Sequence, residues 1–112
     1  DLPTTKHFGF FEDDVLLGIA SVFEVQNPDF ENANQLQLRG MAVVPNQQKK
    51  GIGEQLVKRC ERHAIQNDYG LIWFNAREIA IGFYQKLGYQ ISGESFDISG
   101  VGTHYKMFKK LG

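Results

Sequence analysis

Lys49, Lys50, Gly51 and Gly53 stand together in the stretch VVPNQQKKGIGEQLVKRCERH, which runs from Val43 to His63. β-Branched residues and Pro45 close a strand pattern, and a helical pattern opens at Gly51. The first N–H groups of a helix lack intrahelical partners and carry the positive end of the dipole, so they attract anions. Glycine has no Cβ and lets a ligand approach the backbone closely. With two lysines beside it, this spacing suits phosphate or, better, pyrophosphate; the plainer reading is a strand-to-helix loop with solvated lysines. A P-loop would need G-x-x-x-x-G-K-[ST], which is absent. A dinucleotide fingerprint would need a third glycine where Leu56 stands, and an acid where the next strand ends near Asn75.

The elements that must position this turn follow from pattern. HFGFFEDDVLLGIASVFEV predicts a hairpin, with Phe8 and Phe10 alternating and Glu12-Asp13-Asp14 turning. Gln26 to Gln35 holds Pro28 and several asparagines and predicts a loop. In LQLRGMAVVP, Leu36 and Leu38 alternate, then Met41 and Val43 continue one residue out of step. That slip beside Gly40 predicts a β-bulge. From Gly51, Ile52, Leu56, Val57, Cys60 and Ala64 share one helix face, with Gly70 as the expected C-terminal cap. LIWF, Leu71 to Phe74, is continuously apolar, as in a strand covered on both faces. Strand, helix and strand in this order give a right-handed parallel unit. EIAIGFYQKLG predicts a shorter second helix, with Ala80, Phe83, Tyr84 and Leu87 on one side and Gly88 after its end. Strands around Tyr89–Ile98 and Thr103–Lys109 close a mixed α/β sheet.

A chain of 112 residues has room for one small domain with a core. A net charge of −1 supplies no general basic field for nucleic acid or an anionic membrane. No apolar run approaches the roughly 18 residues that cross a bilayer. The single cysteine, Cys60, excludes an internal disulfide, fits a reducing, cytoplasmic setting and lies on the apolar helix face as a packing thiol. Cys60 and His63 have no nearby third ligand, so no metal site is expected. His7 and His63 are read as surface residues.

QKKGIG, Gln48 to Gly53, resembles the Q/R-x-x-G-x-G/A motif of the GCN5-related N-acetyltransferases, the GNAT superfamily. LRGMAVVP before it and NAREIAIGFYQKLGY after it extend the resemblance over about half of the chain, and GVGTHYKMFKK is similar to the closing strand of small bacterial members. The resemblance implies a GNAT-like fold in which acetyl-CoA enters where two parallel strands, Leu36–Val44 and Leu71–Asn75 here, splay apart. Met41, Ala42 and Val43 would then offer unpaired backbone groups to the pantetheine arm. The pyrophosphate would rest on N–H groups from Gln48 through Lys49, Lys50, Gly51, Ile52 and Gly53 to Glu54, with Phe83 and Lys86 nearby.

The implied activity is N-acetyl transfer to a primary amine by direct attack in a ternary complex, which needs no enzyme nucleophile. Tyr84 is then the candidate acid at sulfur, against a plain packed aromatic, and a backbone N–H near Val43 the donor to the carbonyl oxygen. Asn75 is a pantetheine contact or a helix cap. The family often takes its base from a carboxylate on the strand before the motif, where this chain has Gln37 and Arg39; Glu24 and His104 are the fallbacks, beside a water chain. Family members usually begin with a strand and two helices before the first hairpin, whereas this chain starts near the second strand. A CoA-sensing binding module without turnover is the rival. A pyrophosphate hydrolase lacks paired carboxylates or a metal cluster. The acceptor stays open, and a homodimer is admitted.

Overall fold

Two consecutive aspartates make the first tight turn. Asp13 (φ 50) and Asp14 (φ 65) both adopt left-handed angles, the pair that a two-residue type I′ hairpin turn demands. In the computed structural model, which describes residues 4–32, 34–45 and 51–111, they join β1 (Lys6–Glu12) to β2 (Val15–Glu24). The chain continues through β3 (Gln35–Val43), α1 (Ile52–Gln66), β4 (Leu71–Arg77), a 3-10 turn (Glu78–Ala80), α2 (Ile81–Lys86), β5 (Gln90–Ile98) and β6 (Gly102–Lys110). One sheet takes all six strands in the order β1-β2-β3-β4-β6-β5. β3 and β4 are parallel, with α1 as their crossover; the other neighbours are antiparallel.

The apolar side of α1 fixes which sheet face is the core. Ile52, Leu56, Val57, Cys60 and Ala64 are buried against Ala20 and Val22 of β2, Leu36 and Leu38 of β3, and Ile72, Phe74 and Ala76 of β4. Each fully buried Leu or Val contributes about 1.5–3 kcal/mol, so the helix is held by this face more than by its propensity. Strand alternation turns Gln35, Gln37 and Arg39 of β3, and Leu71, Trp73, Asn75 and Arg77 of β4, to the opposite face. There the segment between β2 and β3 covers one end: Trp73 Nε1 donates to the Val25 carbonyl at 2.9 Å, and the Phe30 and Phe108 rings lie 5.0 Å apart. Leu71 to Phe74 are accordingly buried on both faces. No helix among the described residues is long and apolar enough to cross a membrane.

Several sequence expectations need correction. Gln35 is the first residue of β3, not loop, and is buried; its amide nitrogen donates to the carbonyls of Asn27, Phe30 and Asn32 and so ties the preceding loop down. Gly70 does not cap α1. Asp68 (φ 64) takes the left-handed position, Tyr69 N–H donates to Ala64 O at 2.9 Å and Asp68 N–H to Ile65 O at 3.2 Å, which is a Schellman closure. The second helix opens as a 3-10 turn and is α-helical only over Ile81–Lys86. His63 is half-buried, its ring edge-on to Phe8 at 5.7 Å, whereas His7 is exposed and bonds Ser21 Oγ at 2.6 Å.

Candidate active site

The bulge expected at Gly40 is present, and it starts the site. Ile19 faces Ala42 while Ser21 faces Arg39, so Gly40 and Met41 together stand opposite Ala20. Gly40 has φ 64, the left-handed angle of a glycine bulge. On its other side β3 pairs with β4 only through Gln35–Leu71, Leu36–Ile72 and Gln37–Trp73. Beyond Gln37 the two strands diverge, β3 running on to Val43 and β4 to Arg77. The opening is a cleft of about 750 Å3. Leu38 to Met41 form one wall and Phe74 to Arg77 the other, with Ile79, Ala80, Tyr84, Val101 and His104 completing it.

Met41 to Val43 are not wholly without a strand partner. Ala42 and Val43 are in register with Ile19 and Gly18 on β2. Val44 N–H donates to the Leu17 carbonyl at 2.9 Å, so alternation turns the Val43 N–H the other way, toward the side where β4 has left. Past Gln37 that side of β3 has no register with β4.

The start of α1 adjoins the same place. Gly51 is its N-cap at φ 81 with no side-chain cap, and the first helical bond runs from Gln55 N–H to Gly51 O at 3.1 Å. The N–H groups of Ile52, Gly53 and Glu54 therefore lie ahead of the intrahelical ladder. A Cβ on Gly51 would meet nothing within 4 Å, whereas one on Gly53 would sit 3.2 Å from Phe83 Cζ and 3.7 Å from Met41 Cε. Phe83 and Met41 thus link the helix start to the cleft. Ile52 is buried and offers only its backbone; the Glu54 carboxylate pairs with Lys58 at 3.0 Å. Gln48, Lys49 and Lys50 lie outside the described residues. A helix start whose glycine meets no described residue, next to strands that have come apart, fits a diphosphate with an amide-bearing arm.

Tyr84 is buried in the cleft wall, its ring 4.3 Å from Phe74, 5.0 Å from Phe83 and 6.0 Å from Tyr89. Its hydroxyl lies 3.9 Å from Met41 Sδ. Burial, and secondarily the nearby Cys60, pushes the phenol up to about 12. Cys60 is itself buried and pushed up to about 12 by desolvation, so it is a protonated packing thiol at neutral pH.

His104 on β6 faces Arg77 across the β4–β6 ladder. It is buried, stacked on Phe96 at 6.0 Å, with Nδ1 2.9 Å from the Gly102 carbonyl. A carbonyl only accepts, so Nδ1 carries a proton, which leaves Nε2 as the ring nitrogen able to exchange one. Asn75 lines the cleft from within β4, opposite Lys106; it caps nothing, since β4 runs to Arg77 and Arg77 takes the N-cap position of the 3-10 turn without a side-chain bond. Glu24 is not brought to the cleft: it ends β2 opposite Leu36, where the strands are still paired, and the Tyr69 hydroxyl donates to it. Lys86 is exposed in the last turn of α2 and does not line the cleft. Arg77 was missed in sequence. Its signal was the continued alternation Asn75-Ala76-Arg77 past the apolar run.

A family profile described as "Acetyltransferase (GNAT) family" matches residues 1–89 of the chain. The uncharacterized N-acetyltransferase YitI of Bacillus subtilis is 37% identical over 105 residues, covering 94% of this chain and 70% of that protein. Among solved structures, an aminoglycoside 6'-N-acetyltransferase complexed with coenzyme A superposes with a TM-score of 0.79 at 19% identity, over 96% of this chain and 73% of that one. A Bacillus subtilis acetyltransferase in complex with CoA superposes with a TM-score of 0.76 at 20% identity, over 98% and 79% of the two chains. At these identities the two structures bear on the fold alone.

Proposed function

We propose a residue-level mechanism from the premise that the chain belongs to the acetyltransferase (GNAT) family and acts as an acetyl-CoA-dependent N-acetyltransferase. The observation that carries it is the cleft opened by strands that stop pairing at Gln37–Trp73 and lined by Tyr84, with the α1 start adjoining it through Met41 and Phe83. In this reading residues 1–112 act as one domain of the family. The N–H groups of Gly51 to Glu54 hold the diphosphate, with Gln48, Lys49 and Lys50 preceding them in the chain. The backbone of β3 beyond the bulge, from Met41 to Val43, and the Asn75 amide hold the pantetheine arm. Phe83 packs at the mouth, and Lys86 adds only surface charge.

Acetyl-CoA supplies the thioester carbonyl and a thiolate leaving group. A backbone N–H of the bulged strand near Val43 is the donor to the carbonyl oxygen. Tyr84 holds a proton for the departing sulfur, and its raised pKa keeps that proton in place at neutral pH. His104 Nε2 takes the proton that the amine must lose. Glu24, engaged by Tyr69 at the paired end of the sheet, has no part. Direct attack in a ternary complex is supported by Cys60, a protonated thiol in the core. The single cysteine also supports a cytoplasmic setting. A sensing module without turnover is not favoured by the family match or by the N-acetyltransferase relative.

The test is initial-rate kinetics with acetyl-CoA and a primary amine, following free thiol. Intersecting double-reciprocal lines support a ternary complex. Parallel lines, or an acetylated enzyme isolated without amine, would sink direct attack.

A further inference from the structure

The walls of the cleft differ in chemistry on the two sheet faces. Leu38, Phe74, Ala76 and Tyr84 belong to the core cluster on the α1 side. Arg39 and Arg77 alternate with Leu38 and Ala76 and so project on the other face, one from each diverging strand. His104 shares that face as the cross-strand partner of Arg77. The amine must therefore reach the thioester from the arginine side if the diphosphate sits on α1.

Among the described residues, the cleft lining includes these two arginines and no Asp or Glu. Neither arginine has a carboxylate partner among them. Arg39 is held by its neighbours instead, with Nε donating to Gln37 Oε1 at 2.8 Å and Cζ 4.9 Å from the ring centroid of Phe23 on β2. Lys106, the next cation on this face, is already neutralised by Asp29. Two guanidiniums without a carboxylate partner among the described residues, one from each wall of the cleft, are groups suited to a planar anion. They also repel a polycation.

We propose, resting on the transferase reading above, that the amine acceptor bears an anionic group, a carboxylate or a phosphate, held by Arg39 and Arg77 on the helix-free side of the cleft. The acceptor class is thus an acidic or zwitterionic amine, in contrast to a polyamine or an aminoglycoside. The cofactor's own phosphates are not the anion meant, because α1 lies on the opposite face.

The test uses matched acceptors with acetyl-CoA: an amino acid against its methyl ester, phosphoethanolamine against ethanolamine, and spermidine and an aminoglycoside as polycations. The anionic member of at least one pair is expected to have a kcat/KM at least about tenfold higher, the ratio that one charge-assisted hydrogen bond supplies. The amino-acid arm reports a carboxylate and the phosphoethanolamine arm a phosphate. Arg77→Gln should shrink that ratio toward one mainly through KM, Arg77→Lys should keep part of it, and Arg39→Gln should act in the same direction. Preference for a polycation, or an unchanged ratio in both glutamine variants, overturns the proposal while leaving acetyl transfer standing. A tenfold loss of CoA affinity in Arg77→Gln also overturns it, by assigning the arginine to the cofactor. Absence of turnover with every amine removes the transferase reading, and this inference with it.

Discussion

Replacing Tyr84 with Phe separates chemistry from packing. The ring is held by Phe74, Phe83 and Tyr89, and a phenylalanine keeps those contacts. Among the described residues the hydroxyl donates to Met41 Sδ at 3.9 Å, a weak acceptor at long range. Losing that bond costs less than about 1 kcal/mol, which in a domain of this size moves the melting temperature by at most about 4–8 °C. A positioned general acid contributes about 10²- to 10⁴-fold. The variant should therefore melt close to wild type, bind CoA with an affinity within about twofold of it, judged against a hydrogen bond's usual effect, and turn over at least about a hundredfold more slowly. The assays are thermal unfolding, calorimetric titration with CoA and thiol release under saturating substrates. With the phenol pushed up to about 12, wild-type rates should show no loss from its ionisation until strongly alkaline pH. A Tyr84→Phe enzyme as fast as wild type would remove the hydroxyl from the mechanism and leave the residue as core.

Other expectations follow from single residues. Gly40→Ala adds a Cβ that meets nothing within 4 Å but strains a backbone at φ 64; it should destabilise by about 1–2 kcal/mol, whereas Gly82→Ala, in α2 and equally unobstructed, should stabilise by about 0.5–1 kcal/mol, both read by chemical denaturation. Cys60, pushed up to about 12, should resist alkylation at pH 8 in the native protein and react once it is unfolded. His63 is held below its ordinary value of 6.5 by burial and by the charge of Lys6. The unfolded chain therefore takes up the proton first, so this residue's contribution is complete above pH 6.5 and is lost as pH falls through the folded value; His63→Gln should flatten the fall in melting temperature on that side.

Much of the frame was legible because it rests on local pattern. The phase slip from Leu38 to Met41 marked the bulge, and the helical spacing from Ile52 to Ala64 marked the crossover. Where the reading failed, long-range contacts decided. Gln35 looked like loop, but three loop carbonyls satisfy its buried amide. Gly70 looked like a cap, but Asp68 accepted the left-handed angle instead. For the candidate site, spacing and family resemblance pointed to the helix start and to Tyr84, and Tyr84 does line the cleft. Which titratable group reached the cleft was not: His104 and Glu24 looked interchangeable until the β4–β6 register carried one in and the β2–β3 pairing kept the other away. Arg77 stayed hidden because β4 outlasts its apolar run, and only the pairing of Arg77 with His104 shows that it does.

The most direct test follows backbone amide resonances while CoA is titrated into the protein. The account predicts that Gly51 to Glu54 at the start of α1 and Met41 to Val43 beyond the bulge shift together and saturate at one concentration, with the Asn75 side-chain amide moving alongside. If these amides stay in place while CoA binds, or if the shifts gather on the β1–β2 hairpin or on β5, the cleft between the diverging strands is not where the cofactor goes.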